Sequence, residues 1–189
     1  MQVGPLVRPA GGVTVSFSPL VSAVPLHDGS LLAIRPLAPG EYSPVRQLFD
    51  RLGPRTRSLR FLMATRVLSD SLLARLARVD ERHGALVAER HSGGRAEPIA
   101  LANVALDDDE SSGAEVALVV RDDWQGRGIG RLLADASLTW AAARGRQRFI
   151  VHLAHDNEIA RKLVRRFTTV TAASWAGSMM ELTVQAKGE

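Results

Sequence analysis

The sequence predicts an α/β (α+β) fold, a mixed sheet with helices on its faces. Short runs rich in Val, Leu, Ile and Thr, bounded by Gly, Pro, Asp and Ser clusters, read as strands. Stretches with apolar residues at helical spacing read as helices, and the two kinds interleave along the chain. Their order is strand, helices, three strands, helix, strand, helix, two strands, which places helices over a sheet that cannot be purely parallel or purely a meander.

Residues 1–28 are rich in Pro, Gly, Ser and Val without sustained periodicity and read as an N-terminal extension, mobile or packed on the domain that occupies 29–189. SLLAIRPL is a strand closed by Pro36. PGEYSPVRQLFDRLG carries Val45, Leu48, Phe49 and Leu52 at helical spacing before Gly53 stops it. RTRSLRFLMATRV and SDSLLARLARVD read as two short helices, the second opening on Ser69 or Asp70 as cap, with Leu72, Leu73, Leu76 and Val79 on one face. GALVAER and PIALANVAL follow as strands across the turn-rich HSGGRAE, and the acidic DDDESSG forms a loop into the strand AEVALVV. Ile129, Leu132, Leu133, Ala136 and Trp140 stripe a helix that ends near Gly145. RFIVHLA is a strand, DNEIARKLVRRF a helix, and TTVTAAS and SMMELTVQ are final strands turning at Trp175 to Gly177.

Composition narrows the function classes. A chain of 189 residues can bury a substantial core, and with no cysteine it has no disulfide, thiolate metal site or cysteine nucleophile. The net charge of +4 comes almost wholly from arginine, Lys162 and Lys187 being the only lysines. Such an excess helps attract an anionic ligand but does not call for nucleic acid. No apolar run reaches membrane-spanning length, and the first residues lack the basic start and apolar block of a signal peptide, so the expected location is cytoplasmic with no membrane partner.

Three glycines at alternate positions in QGRGIG, Gln125 to Gly130, stand between a strand and an amphipathic helix. Glycine there lets something approach the main chain closely, and the free amides of a first helical turn favour an anion. A Walker A loop needs Gly-Lys-Ser/Thr, which GIGRLL lacks. A dinucleotide fingerprint needs G-x-G-x-x-G and an acid about twenty positions on, and neither is present.

QGRGIG does resemble the Q/R-x-x-G-x-G/A loop of the GNAT acetyltransferase superfamily. RFIVHLA is similar to that family's fifth strand, and Asn157, Ala160 and Leu163 fall where N-x-x-A-x-x-L stands at its next helix. The likeness runs from about Gly29 to Gln185. Upstream, RLGPRTRSLRFLMATRVLSDSLLARLARVDERHGALVAE is similar to the acetyltransferase domain of bacterial protein-lysine acetyltransferases. The resemblance implies a GNAT fold: a mixed, mostly antiparallel sheet of about seven strands flanked by about four helices. It implies acetyl-CoA as co-substrate and an amine acceptor, first a protein lysine, alternatively a small amine. A non-catalytic acyl-CoA-binding regulatory module is the other alternative, and the chain is expected as monomer or homodimer.

Carried onto this sequence, the resemblance assigns the cofactor to Gln125, Gly126, Arg127, Gly128, Ile129, Gly130 and Arg131, with Leu118, Val119 and Val120 beside the pantetheine and Asn157 near it. It also implies a bulge in AEVALVV and a splay from RFIVHLA. Glu115 shares a strand face with Ala117 and Val119 under regular alternation and is the candidate catalytic base, with Asp107, Asp108, Asp109 and Glu110 next in line. It also fits as a solvated edge carboxylate. Asn157 fits a helix cap as well as a ligand contact. His152, His155 and Asp156 make no metal site by spacing, and none is expected. Two family features are missing: Val164 stands where many members have a tyrosine able to protonate the leaving thiolate, and the usual G-F after that helix is replaced by RRFTTVTAAS.

Overall fold

The computed structural model describes residues 24–26, 28–61, 66–107 and 113–186. In chain order they form β1 (Val24–Pro25), β2 (Leu31–Pro36), α1 (Ser43–Asp50), α2 (Pro54–Phe61), α3 (Asp70–Leu76), β3 (His83–Ser92), β4 (Arg95–Leu106) and β5 (Ala114–Val120). A 3-10 turn over Asp122–Trp124 leads to α4 (Ile129–Ala142), β6 (Arg148–Ala154), α5 (Glu158–Phe167), β7 (Thr168–Ala176) and β8 (Met179–Ala186). The strands make one mixed sheet in the order β1-β2-β3-β4-β5-β6-β8-β7, antiparallel everywhere except where β5 meets β6. Eight strands and five α-helices among the described residues slightly exceed the expected seven and four. The additional strand is β1, which lies inside the segment read as an extension and pairs Val24 with Leu32 and Pro25 with Leu31. Proline has no N–H to give a second neighbour, so it suits this outermost position.

Both faces of the sheet are covered, and this is why GALVA reads as an unbroken apolar run. Along β3, Ala85 and Val87 point to one face and join Val45, Leu48, Leu73, Leu76 and Val119 under α1 and α3. Leu86 and Ala88 point to the other and join Ile34, Ile99, Ile129 and Leu133 under α4. Each fully buried aliphatic side chain contributes about 1.5–3 kcal/mol. A third cluster, including Val116, Trp140, Phe149, Leu153, Val164 and Val184, ties α4 and α5 to β6 and β8. Gly84 makes room for Trp140: a Cβ there would lie 2.8 Å from the indole.

Two local expectations are corrected. HSGGRAE is not a long loop: β3 and β4 run through it, and only Gly93 and Gly94, at φ 56° and 74°, make the turn. Two successive left-handed residues twist the hairpin with its strands. The bulge expected in AEVALVV is also absent, for the β4–β5 register runs without a shift from Ala100↔Val120 to Leu106↔Ala114. Alternation therefore holds along β5.

The splay arises without a bulge. β5 and β6 pair only at Ala114↔Phe149 and Glu115↔Ile150. Just before them Gly113, at φ 98°, packs so closely that a Cβ would lie 2.4 Å from the Arg148 carbonyl oxygen. The strands are pinned at this point and separate beyond it, so the edge of β5 from Val116 onward has no strand partner.

Candidate active site

The gap between β5 and β6 opens into a cleft of about 740 Å³, walled by β5, β6, α5, the start of α4 and one side of α2. The glycine loop lies at one end. Gly126 and Gly128 adopt φ 74° and 82°, left-handed values that favour glycine, whereas Gly130 is helical with ordinary space around it. This geometry turns the main chain so that the amides of Gly126, Arg127, Gly128, Ile129 and Gly130 find no acceptor among the described residues; the first α4 bonds come from Arg131 and Leu132, to the Gly128 carbonyl. A run of amides at the N-terminus of a fourteen-residue helix is suited to an anion.

The predicted residues divide by what they present. Ile129 is 1% exposed in the core under α4, so only its amide faces outward. The Arg127 guanidinium is exposed and stacks on the Trp124 ring at 4.6 Å. Arg131 lines the cleft one turn into α4 and lies 3.6 Å from Asp135. The Gln125 amide acts as a strut, donating to the Val120 carbonyl at 3.0 Å and to Thr56 Oγ1 at 3.3 Å. Leu118 and Val120 belong to the α4 face of β5 and Val119 to the opposite face, all three lining the cleft. Asn157 Oδ1 caps α5 by accepting from Ala160 N at 3.1 Å, while the residue also lines the cleft. Val164 is buried.

Asp122 joins the loop region to α2. Its Oδ2 accepts from Gly53 N at 2.8 Å and its Oδ1 from Thr56 Oγ1 at 2.6 Å. Burial pushes this carboxyl up, but the Thr56 and Gly53 hydrogen bonds outweigh it and hold it below the usual range. Next to it Arg121, largely buried, grips Asp123 with two nitrogens and Glu97 with the third. These contacts fix the turn from β5 into the loop.

Glu115 is half exposed on the α2 side of β5, with His152 Nδ1 3.6 Å from its Oε1. The other ring nitrogen of His152 is 3.1 Å from Glu181 Oε2. β5, β6 and β8 thus bring a carboxylate, an imidazole and a second carboxylate into a row. Sequence reading left His152 aside, since residues 115, 152 and 181 become neighbours only through the strand order. Across from Glu115, the half-buried Arg60 donates to Asn103 Oδ1 at 2.9 Å. Burial lowers its guanidinium to about 10, with Glu115 opposing that shift and Arg75 adding to it. Arg60 and Ala117 line both the large cleft and a second cavity of about 460 Å³ that contains Glu115. Among the loop acids Asp108, Asp109 and Glu110 lie outside the described residues. No described helix is long and apolar enough to cross a membrane.

The comparisons agree with this architecture. The GNAT domain of S. lividans PAT superposes with a TM-score of 0.75 over 87% of this chain and 96% of its own, at 23% identity, a likeness of fold. A cAMP-binding acyltransferase from Mycobacterium smegmatis superposes with a TM-score of 0.57 over 90% of this chain and 48% of its own, at 28% identity. In sequence, the chain is 32% identical over 162 residues to acetyltransferase Pat of Mycolicibacterium smegmatis, covering 83% of this chain and 46% of Pat. It is 34% identical over 109 residues to acetyltransferase PA5475 of Pseudomonas aeruginosa, covering 57% of this chain and 58% of that one. The chain thus spans about half the length of the curated relatives it matches. A sequence model of the Acetyltransferase (GNAT) family matches residues 51–168, from the start of the α2 wall to the end of α5. With the glycine loop and the splayed strands β5 and β6 inside that span, the chain belongs to the GNAT acetyltransferase family.

Proposed function

We propose that the protein transfers an acetyl group from acetyl-CoA to an amine, with a protein lysine as acceptor. The observation that carries the donor is the run of amides from Gly126 to Gly130, without an acceptor among the described residues, at the mouth of a cleft opened by the short β5–β6 pairing. These amides fit a pyrophosphate, with Arg127 as the exposed cation beside them. The unpartnered edge of β5 offers donors and acceptors to an amide-bearing arm. Acetyl-CoA lying there supplies a thioester, whose carbonyl carbon forms the new C–N bond as the C–S bond breaks and CoA leaves.

Glu115 takes the proton that an alkylammonium must lose before it can attack. His152 is placed to carry that proton on toward Glu181 and solvent. Val164 supplies no acid, so solvent protonates the departing thiolate. The lysine reading rests on the likeness of residues 51–89 to bacterial protein-lysine acetyltransferases and on the absence of a tyrosine at 164.

Calorimetry tests the donor site and thiol release tests the reaction. Gly130→Ala is expected to bind acetyl-CoA as the parent does, since its Cβ meets only ordinary contacts. Gly130→Leu should crowd the pyrophosphate and weaken binding by about tenfold or more. Glu115→Gln keeps the shape and should lose roughly 10²- to 10⁴-fold in kcat with donor affinity retained. Unchanged affinity in Gly130→Leu would reject the loop, and unchanged turnover in Glu115→Gln would reject the base.

A further inference from the structure

The second cavity is charged in a way the reaction does not require. Its volume of about 460 Å³ is bounded by α2, α3 and strands β3 to β5, and Glu115 is the only carboxylate among the residues lining it. Against that single acid, among the described residues, stand Arg60, Arg75 and Arg78. Arg78 is answered by Asp80, which accepts from its Nε at 2.7 Å and also receives His83. Among the described residues Arg60 has a neutral amide, Asn103, as its hydrogen-bond partner and Glu115 as its acid. Arg75 is exposed on the last turn of α3 with no ion pair among the described residues.

A lysine ammonium entering such a cavity alone would be drawn by Glu115 and repelled by two arginines. If it brings a carboxylate with it, the repulsion becomes a bidentate pairing with a guanidinium, the geometry arginine is built for. Once the ammonium reaches Glu115, the same guanidinium charges favour its neutral, nucleophilic form. The cation count therefore serves both selection and deprotonation.

We propose that the cavity between α2, α3 and β4 is an acceptor site that selects lysines flanked by acidic residues, with Arg75 and Arg60 holding the flanking carboxylate. This rests on the lysine reading above and names which lysines it concerns. A peptide with basic neighbours would place like charges against Arg75 and be disfavoured.

The test uses the full chain and three short peptides alike except for acidic, neutral or basic residues beside one central lysine. Turnover is followed by thiol release and by the mass of the peptide. The acidic peptide should exceed the basic one by about tenfold or more in kcat/KM, most of it lost as salt is raised. Arg75→Ala should level the three, and Arg75→Glu should invert the order, while acetyl-CoA affinity and melting temperature stay at parental values. Equal turnover of all peptides by the parent would overturn this proposal and leave the lysine reading standing. An acidic preference untouched by both Arg75 variants would overturn the assignment to this cavity. No peptide turnover, with small amines accepted, would overturn the lysine reading and this inference with it.

Discussion

Glu115 and His152 act at the scale of single side chains, and their separation of 3.6 Å decides what each can do. At that distance the imidazole is an electrostatic neighbour more than a tight hydrogen-bond partner, so in the proposed reaction it serves a proton already taken more than it sets the base. His152→Ala is expected to lower kcat by about tenfold, less than the loss in Glu115→Gln. Steady-state kinetics checks this; a parental kcat would make His152 a packing residue. The face on which Glu115 lies was legible because alternation along AEVALVV puts it with Ala117 and Val119, and the unshifted β4–β5 register keeps that alternation. The turn into α4 was legible because alternate glycines mark a backbone that needs left-handed φ, as Gly126 and Gly128 adopt. The roles of Gln125 and Ile129 were not: that one would spend its amide on the Val120 carbonyl and the other bury its side chain depends on packing that no local pattern encodes.

At the scale of elements, the cleft depends on where two strands stop pairing. Gly113 brings β5 against Arg148 at the one place the sheet is parallel. Gly113→Ala would push a methyl group into the Arg148 carbonyl and force a left-handed φ on alanine, so a loss of roughly 3 kcal/mol or more is expected. Urea unfolding measures it, and a loss under about 1 kcal/mol would mean that the seam relaxes freely. Element types were read correctly because helical and alternating periods differ so clearly in QLFDRL and in AEVALVV. Boundaries were less legible. HSGGRAE is polar enough for a loop, yet its two central glycines need only two residues to reverse the chain. β1 escaped notice because two residues carry no period at all.

For the whole molecule, stability at low pH follows from carboxylates that arginines hold ionised. Arg35 joins Glu41, on the way into α1, to the buried Glu89 of β3, and its hydrogen bonds keep Glu41 below the usual carboxylate range. Arg121 does the same for Glu97 and Asp123. Unfolded, such groups titrate near about 3.9 for Asp and about 4.3 for Glu, higher than in the folded chain. The stability they add is therefore complete above those values and is lost as pH falls through the lower folded ones. Urea midpoints are expected to be level from about pH 7 to about pH 5 and to decline below about pH 4, less steeply in Arg121→Met, which is weaker at neutral pH. Equal slopes in parent and variant would count against these pairs. The sheet order was legible only through resemblance, since periodicity names strands and not their neighbours. Asp122 shows what such an order can impose on descent and on engineering. One carboxylate secures Gly53 and Thr56 at the start of α2 and stands at the entrance to the glycine loop. A lineage, or a designer, retuning the proposed acceptor preference is free to rewrite Arg55 and Arg60, but touching Gly53 or Thr56 disturbs the turn that presents the loop's amides. On the proposed function, acceptor range can thus diversify along the later part of α2 while its first turn stays bound to the history of the other substrate.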